Sequence, residues 1–235
     1  MTVKEMFLDN NKYSRPGLFL ESVKAIVMHW TANPEANAIQ NRNFFNNRKD
    51  GKSGYGSAHY IIDQDGTVIH CIPDNEVAYH CGTSVNDPVS GKVYTDYARE
   101  KFGLKYTTGA FTPNYVTIGI ELCPLNNNGD FAYATYLAAV DLCKTLCIKY
   151  NLTSQDITTH YAIVGWKNCP KKWVDYPEQF DMFVKDVAVA LGEIKDESDF
   201  ALEEPEEKPP VVEVKKESFI DLIISFIRSI ICGKR

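Results

Sequence analysis

The sequence changes character abruptly after Gly192, and that break sets how much chain is available to build a core. Residues 193–217 carry 10 acidic and 4 basic side chains, include Pro205, Pro209 and Pro210, and hold few large apolar residues. Such a segment buries too little apolar surface to offset its ordering entropy, so it reads as an extended acidic linker. Residues 218–235 add 3 basic and 1 acidic side chain, which leaves 18 basic against 20 acidic in the first 192 residues. The overall charge of −6 therefore marks the linker and not the folded part. The acidic balance of the chain as a whole argues against nucleic acid as the main partner, since surfaces that bind it are usually basic.

Beyond the linker stands SFIDLIISFIRSIICGKR. Ser218, Asp221, Ser225 and Arg228 are spaced three, four and three apart, which draws one narrow polar stripe along an otherwise apolar short helix. About 15 helical residues reach only ~22 Å, too short for an ordinary membrane crossing. The segment is expected to act in homo-oligomer formation, in docking on a partner, or in contact with a membrane surface. At the other end, MTVKEMFLDNNKYSRPG has no basic stretch followed by an apolar run. No signal peptide is expected, and synthesis is expected in the cytoplasm. Seven cysteines, at 71, 81, 123, 143, 147, 169 and 232, include no C-x-x-C pair. An odd count without pairs points to buried free thiols in a reducing compartment.

Residues 1–192 read as one α/β domain. Strands are expected at 24–30, 58–63, 67–72 and 115–122, all rich in β-branched or aromatic residues, with Asp65-Gly66 turning the second into the third. Helices are expected at 36–48, 134–150 and 177–191, the last opening on Pro177 and stopping before Gly192. The stretch 82–114 is polar and marked by Gly and Pro, and reads as a long loop.

His29 stands near the end of the first apolar strand, His160 follows the short run ITT, and Cys169 lies nine residues later. Two imidazoles and a thiolate make a set that Zn²⁺ accepts, with a fourth position left for water. The spacing alone is no general metal signature, and each residue taken singly reads more readily as scaffold. Glu121 ends another apolar strand, where an unpaired carboxylate is costly, so it meets a cation or faces a cleft.

Five segments stand in order: VMHWTA (27–32), SAHYIID (57–63), VAYHCG (77–82), TIGIELC (117–123) and THYAIVGWKNCP (159–170). Together they resemble the zinc-dependent type 2 N-acetylmuramoyl-L-alanine amidase family, which includes phage endolysins, bacterial autolysins and peptidoglycan recognition proteins. The likeness runs over about residues 20–190. It implies a mixed central β-sheet flanked by helices, one Zn²⁺ held by His29, His160 and Cys169, and bacterial peptidoglycan as substrate. The implied reaction is cleavage of the amide between N-acetylmuramic acid and L-alanine by zinc-activated water, in lysis of a host cell wall after release from the cytoplasm. Glu121 matches the catalytic acid/base of many members, and Lys167 the lysine that meets the developing oxyanion.

The likeness has one departure. Some phage members carry a catalytic tyrosine before a histidine where this chain has Ala58-His59, and Tyr60 falls on the opposite face of a regular strand. That favours Glu121, with Tyr55 in the preceding loop as a further candidate for substrate contact. His80 matches a histidine beside the family's site and is expected either to touch substrate or to hold a structural hydrogen bond. Asn33 is a candidate for sugar or peptide contact, and His59 and His70 read as scaffold. The alternative reading is a non-catalytic peptidoglycan-binding module of the same fold. Binding-only members characteristically lack the thiolate ligand, which Cys169 would supply here.

Overall fold

The apolar runs become strands of one mixed sheet in the computed structural model, which describes residues 1–108 and 110–195. The strands are β1 (Thr2–Glu5), β2 (Ala25–Trp30), β3 (Tyr60–Ile62), β4 (Thr67–His70), β5 (Thr117–Leu122) and β6 (Ile157–Thr159), in the sheet order β1-β4-β3-β5-β2-β6. Within this sheet only β3 and β4 pair antiparallel, joined across Asp65-Gly66; the other neighbouring strands run parallel. β1 is exposed along its whole length and polar in sequence, which is why no apolar pattern announced it. Of the acidic linker expected over 193–217, only residues 193–195 are described, and the helix expected at 218–235 lies outside the described residues. Glu193 caps the turn at Ser154, accepting hydrogen bonds from its backbone N–H (3.0 Å) and hydroxyl (2.5 Å).

Period-two alternation gives the central strands two unlike faces. Ile26 and Met28 of β2 and Ile118, Ile120 and Leu122 of β5 face one way and are fully buried. They pack on α4 (Tyr133–Tyr150) and α7 (Pro177–Leu191) through Leu142, Leu146, Phe183 and Val187. Each such side chain contributes about 1.5–3 kcal/mol relative to exposure. Both helices lie where expected; α7 opens on Pro177 and both end in the left-handed region, at Asn151 and Gly192.

The opposite face carries smaller and polar residues: Ala25, Val27 and His29 on β2, Thr117, Gly119 and Glu121 on β5. Its cover comes partly from 82–114, which is not the long loop expected. Tyr94, Ala98, Phe102 and Tyr106 recur every fourth residue, and α2 (Asp96–Phe102) and the short α3 (Lys105–Thr108) bury them against Val27, Val116 and Ile163. Thr95 caps α2 by accepting from the Ala98 N–H (3.2 Å). The far end of this face is covered by α1 (Ala38–Asn47), whose Asn37–Gln40 capping box fixes its start. The six cysteines among the described residues are all free and buried.

Candidate active site and metal centre

Register brings the chemistry together. His29 is the penultimate residue of β2 and pairs with Glu121 on β5, while Met28 pairs with Thr159 at the end of β6. The residue that follows each of these two is a histidine, and the ring centroids of His29 and His160 stand 4.7 Å apart. His160 opens α5 (His160–Val164), whose first turn is capped by Thr159 Oγ1 accepting from the Ala162 N–H (3.1 Å). α5 stops at Gly165 in the left-handed region, and the chain doubles back through Lys167 to Cys169. A hydrogen bond from the Tyr161 N–H to the Cys169 carbonyl (3.0 Å) closes that return before α6 (Lys171–Asp175). One ligand atom from each of His29, His160 and Cys169 then falls within 4.8 Å of the others.

The donor chemistry suits a metal ion. Burial holds the His29 imidazole well below its usual pKa, aided by the neighbouring His160, His80 and Lys167. Burial and then Lys167 lower His160 to about 3. Both rings are therefore neutral and offer lone pairs, and His160 Nδ1 is buried with no hydrogen-bond partner. The Cys169 thiol is pushed up to about 12 by burial and the Glu121 charge, against the Trp30 backbone N–H and Lys167. A thiol held that high becomes a thiolate at neutral pH only beside a strong cation. Two neutral imidazoles, such a thiol and an orphaned ring nitrogen in one cluster fit Zn²⁺ and leave a fourth position for a small ligand.

A cleft of about 510 Å³ opens on this cluster, lined by Glu121, Lys167, Cys169 and Asn33 together with Trp30, Phe44 and Arg48. Burial raises the Glu121 carboxyl to about 7 against the pull of Lys167, and its Oε2 is buried without a partner. Lys167 is exposed and forms no ion pair among the described residues. A slightly larger groove, about 560 Å³, lies between α4, α6 and α7, but its acids are already engaged. Asp130 is paired with Lys172 at 2.8 Å, and Asp186 accepts from the Tyr136 hydroxyl at 2.6 Å.

His80 and Tyr55 do not line the cleft. His80 lies behind His29, buried, with Nδ1 3.0 Å from His29 Nε2. Tyr55 is 56% exposed and packs its ring against Tyr13 and Tyr79. Asn33 does line the cleft, its Oδ1 accepting from the Glu35 N–H (3.3 Å). Arg48 is a cleft residue that sequence reasoning missed, although Asn41, Phe44, Phe45 and Arg48 recur at helical spacing. Its guanidinium lies 4.7 Å from the Phe44 ring centroid and donates to the carbonyls of Gly54 and Tyr55. Burial lowers its pKa, and no carboxylate pairs with it among the described residues.

Residues 20–172, which hold this whole cluster, match the family described as N-acetylmuramoyl-L-alanine amidase. The chain belongs to that family. Among its members, the amidase BlyA of Bacillus subtilis (strain 168) is 37% identical over 187 residues, covering 79% of this chain and 47% of that protein. CwlL of Bacillus licheniformis is 34% identical over 191 residues, 81% of this chain and 48% of its own. The chain thus spans about half the length of the curated relatives it matches. The fold is shared with a mutant endolysin from Bacillus subtilis (25% identity, TM-score 0.58, covering 80% of this chain and 99% of that one). The PlyG catalytic domain shares it too (22% identity, TM-score 0.59, covering 81% and 96%).

Proposed function

We propose that this chain is a peptidoglycan hydrolase that cleaves the amide between N-acetylmuramic acid and the L-alanine of the stem peptide, with one zinc ion on His29, His160 and Cys169. The observation that carries this reading is that the three-donor cluster reaches a cleft through Cys169, and that Glu121 and Lys167 line the same cleft. Relatives named N-acetylmuramoyl-L-alanine amidase support the substrate, and a structural neighbour named an endolysin supports action on a host cell wall.

Bound there, the zinc ion would supply Lewis acidity, polarising the scissile carbonyl and acidifying water. Glu121 takes the proton of the attacking water on its unpartnered Oε2 and hands it to the leaving nitrogen, as base and then as acid. Lys167 Nζ places positive charge beside the developing oxyanion, a contribution of about 3 kcal/mol. Asn33 offers its amide to sugar or peptide within the cleft. Arg48, half-buried and without an acidic partner, offers its guanidinium to a carboxylate of the stem peptide. Tyr55 presents an exposed ring, on the loop that Arg48 holds, to the glycan outside the cleft.

The full chain loaded with one equivalent of zinc is expected to release free stem peptides from purified walls, read by mass spectrometry, and to lose that activity on chelation. Zinc-loaded protein that binds walls but releases no peptide would establish the binding-module reading instead. The segment 218–235 is assigned to self-association, which would place several catalytic domains on one polymer. An unchanged oligomeric state, read from the solution mass after truncation before Ser218, rejects that assignment.

A further inference from the structure

A chain of hydrogen bonds runs behind His29, away from the cleft. The Thr117 hydroxyl donates its one proton to the Pro113 carbonyl at 2.7 Å. Toward every other neighbour Thr117 Oγ1 can then only accept, and His80 Nε2 lies 3.1 Å from it. The Thr117 carbonyl, which can only accept, lies 3.4 Å from the same Nε2. Both contacts require the proton of a neutral His80 ring to sit on Nε2, leaving Nδ1 bare. The Cys81 thiol, 3.5 Å from Thr117 Oγ1 and 3.4 Å from Asn114 Oδ1, is compatible with this as a donor to either.

His80 Nδ1 in turn faces His29 Nε2 at 3.0 Å, and a bare nitrogen there can only accept. His29 therefore carries its proton on Nε2, and its lone pair on Nδ1, the atom 3.7 Å from Cys169 Sγ. The polarity set at the Pro113 carbonyl propagates through two rings to the cluster.

Two features hold the arrangement in place. Asn114 Oδ1 accepts from the N–H groups of His80 (3.0 Å) and Cys81 (2.8 Å), which fixes the backbone that carries the ring. Gly119, between Thr117 and Glu121 on the same face of β5, leaves the space the ring occupies: a Cβ there would stand 2.5 Å from His80 Cγ. A glycine within a strand here marks a close approach of another side chain.

We propose that Thr117 and His80, seated in the space left by Gly119, are positioning residues that select the tautomer and orientation of His29 and so present its Nδ1 to the metal. Metal-bound histidines are commonly oriented by a partner on the other ring nitrogen, and losing that partner typically weakens metal binding about 10–100-fold. The inference rests on the zinc reading above, and its test separates the two.

In the metal-free full chain, long-range proton–nitrogen correlation spectra of labelled histidine are expected to show His29 with its proton on Nε2 and His80 likewise. A proton on His29 Nδ1 overturns the proposal without any substitution having been made. Zinc affinity, measured by competition with a chromogenic chelator, is then expected to fall about 10–100-fold in Thr117→Val, which loses the hydroxyl acceptor and leaves His80 only the longer 3.4 Å contact of the backbone carbonyl. Thr117→Ser, which keeps the hydroxyl, is expected to restore affinity to near that of the parent. A folded Thr117→Val protein that binds zinc as tightly as the parent, or a Thr117→Ser protein as weak as Thr117→Val, overturns it. Should the parent itself bind no zinc, the metal reading fails while the spectrum still decides the tautomer.

Discussion

The two faces of β2 and β5 are made by alternate residues of the same twelve-residue pair of strands, and they do different work. Ile26, Met28, Ile118, Ile120 and Leu122 form a closed apolar layer under α4 and α7. Ala25, Val27, Thr117 and Gly119 leave room on the other side, and His29 and Glu121 stand at its open edge. The difference shows how a small domain carries an expensive site. Buried histidines, a raised carboxyl and an unpartnered Oε2 all cost free energy, and the apolar layer one residue away supplies it. A one-residue slip of either strand would exchange the faces and lose both.

Substitutions on the two faces are therefore expected to fail in opposite ways. Cys169→Ala has the largest expected effect: zinc no longer co-purifies and peptide release disappears, as metal analysis and wall digestion will show. Glu121→Gln is expected to keep stoichiometric zinc and lower turnover by about 10²–10⁴-fold; unchanged turnover would remove Glu121 from the mechanism. Ile120→Ala, one residue earlier and facing α4 and α7, is expected to cost about 2–5 kcal/mol in denaturant unfolding. Its zinc content and its turnover per folded molecule should match the parent. A turnover defect as large as that of Glu121→Gln would mean that the faces are not separable.

What was legible in the sequence followed the same division. The apolar face was readable because its residues repeat with period two in the strands and near 3.6 in α4 and α7, and local pattern suffices there. The polar face depends on contacts far apart in sequence. His80 acquires its place from Thr117 and from the missing side chain of Gly119, 37 and 39 positions away, and nothing near VAYHCG encodes that. Likewise, 82–114 looked like a loop because it is long, polar and marked by Gly and Pro. Tyr94, Ala98, Phe102 and Tyr106 nevertheless carried a four-residue repeat. His29, His160 and Cys169 were named from the family likeness, since their spacing alone left the scaffold reading open; the fold brings them within 4.8 Å.

One charged cluster interrupts the apolar side and sharpens the comparison with the smallest expected effect. Asp74, 8% exposed, accepts from the Tyr60 hydroxyl (2.5 Å) and Lys149 Nζ (2.7 Å), and His70 Nε2 lies 3.1 Å from it. Burial alone would raise its pKa, but the nearby His70 ring and the bonds from Lys149 and Tyr60 outweigh that and hold the carboxyl well below the usual range. A carboxylate depressed on folding contributes stability that is fully present above the unfolded value near 3.9. That contribution is lost as pH falls through the lower, folded value, because the unfolded chain then takes up the proton first. Asp74→Asn is therefore expected to lower stability by about 1.5–3 kcal/mol at neutral pH, and the gap from the parent should shrink steadily below about pH 4. Thermal melts of both proteins between neutral pH and about pH 2 will read it. The zinc affinity of the variant should stay at the parent's value, because this cluster lies on the α4 and α7 side of the sheet. A gap that stays constant with pH would mean that the charge of Asp74 contributes nothing beyond its shape.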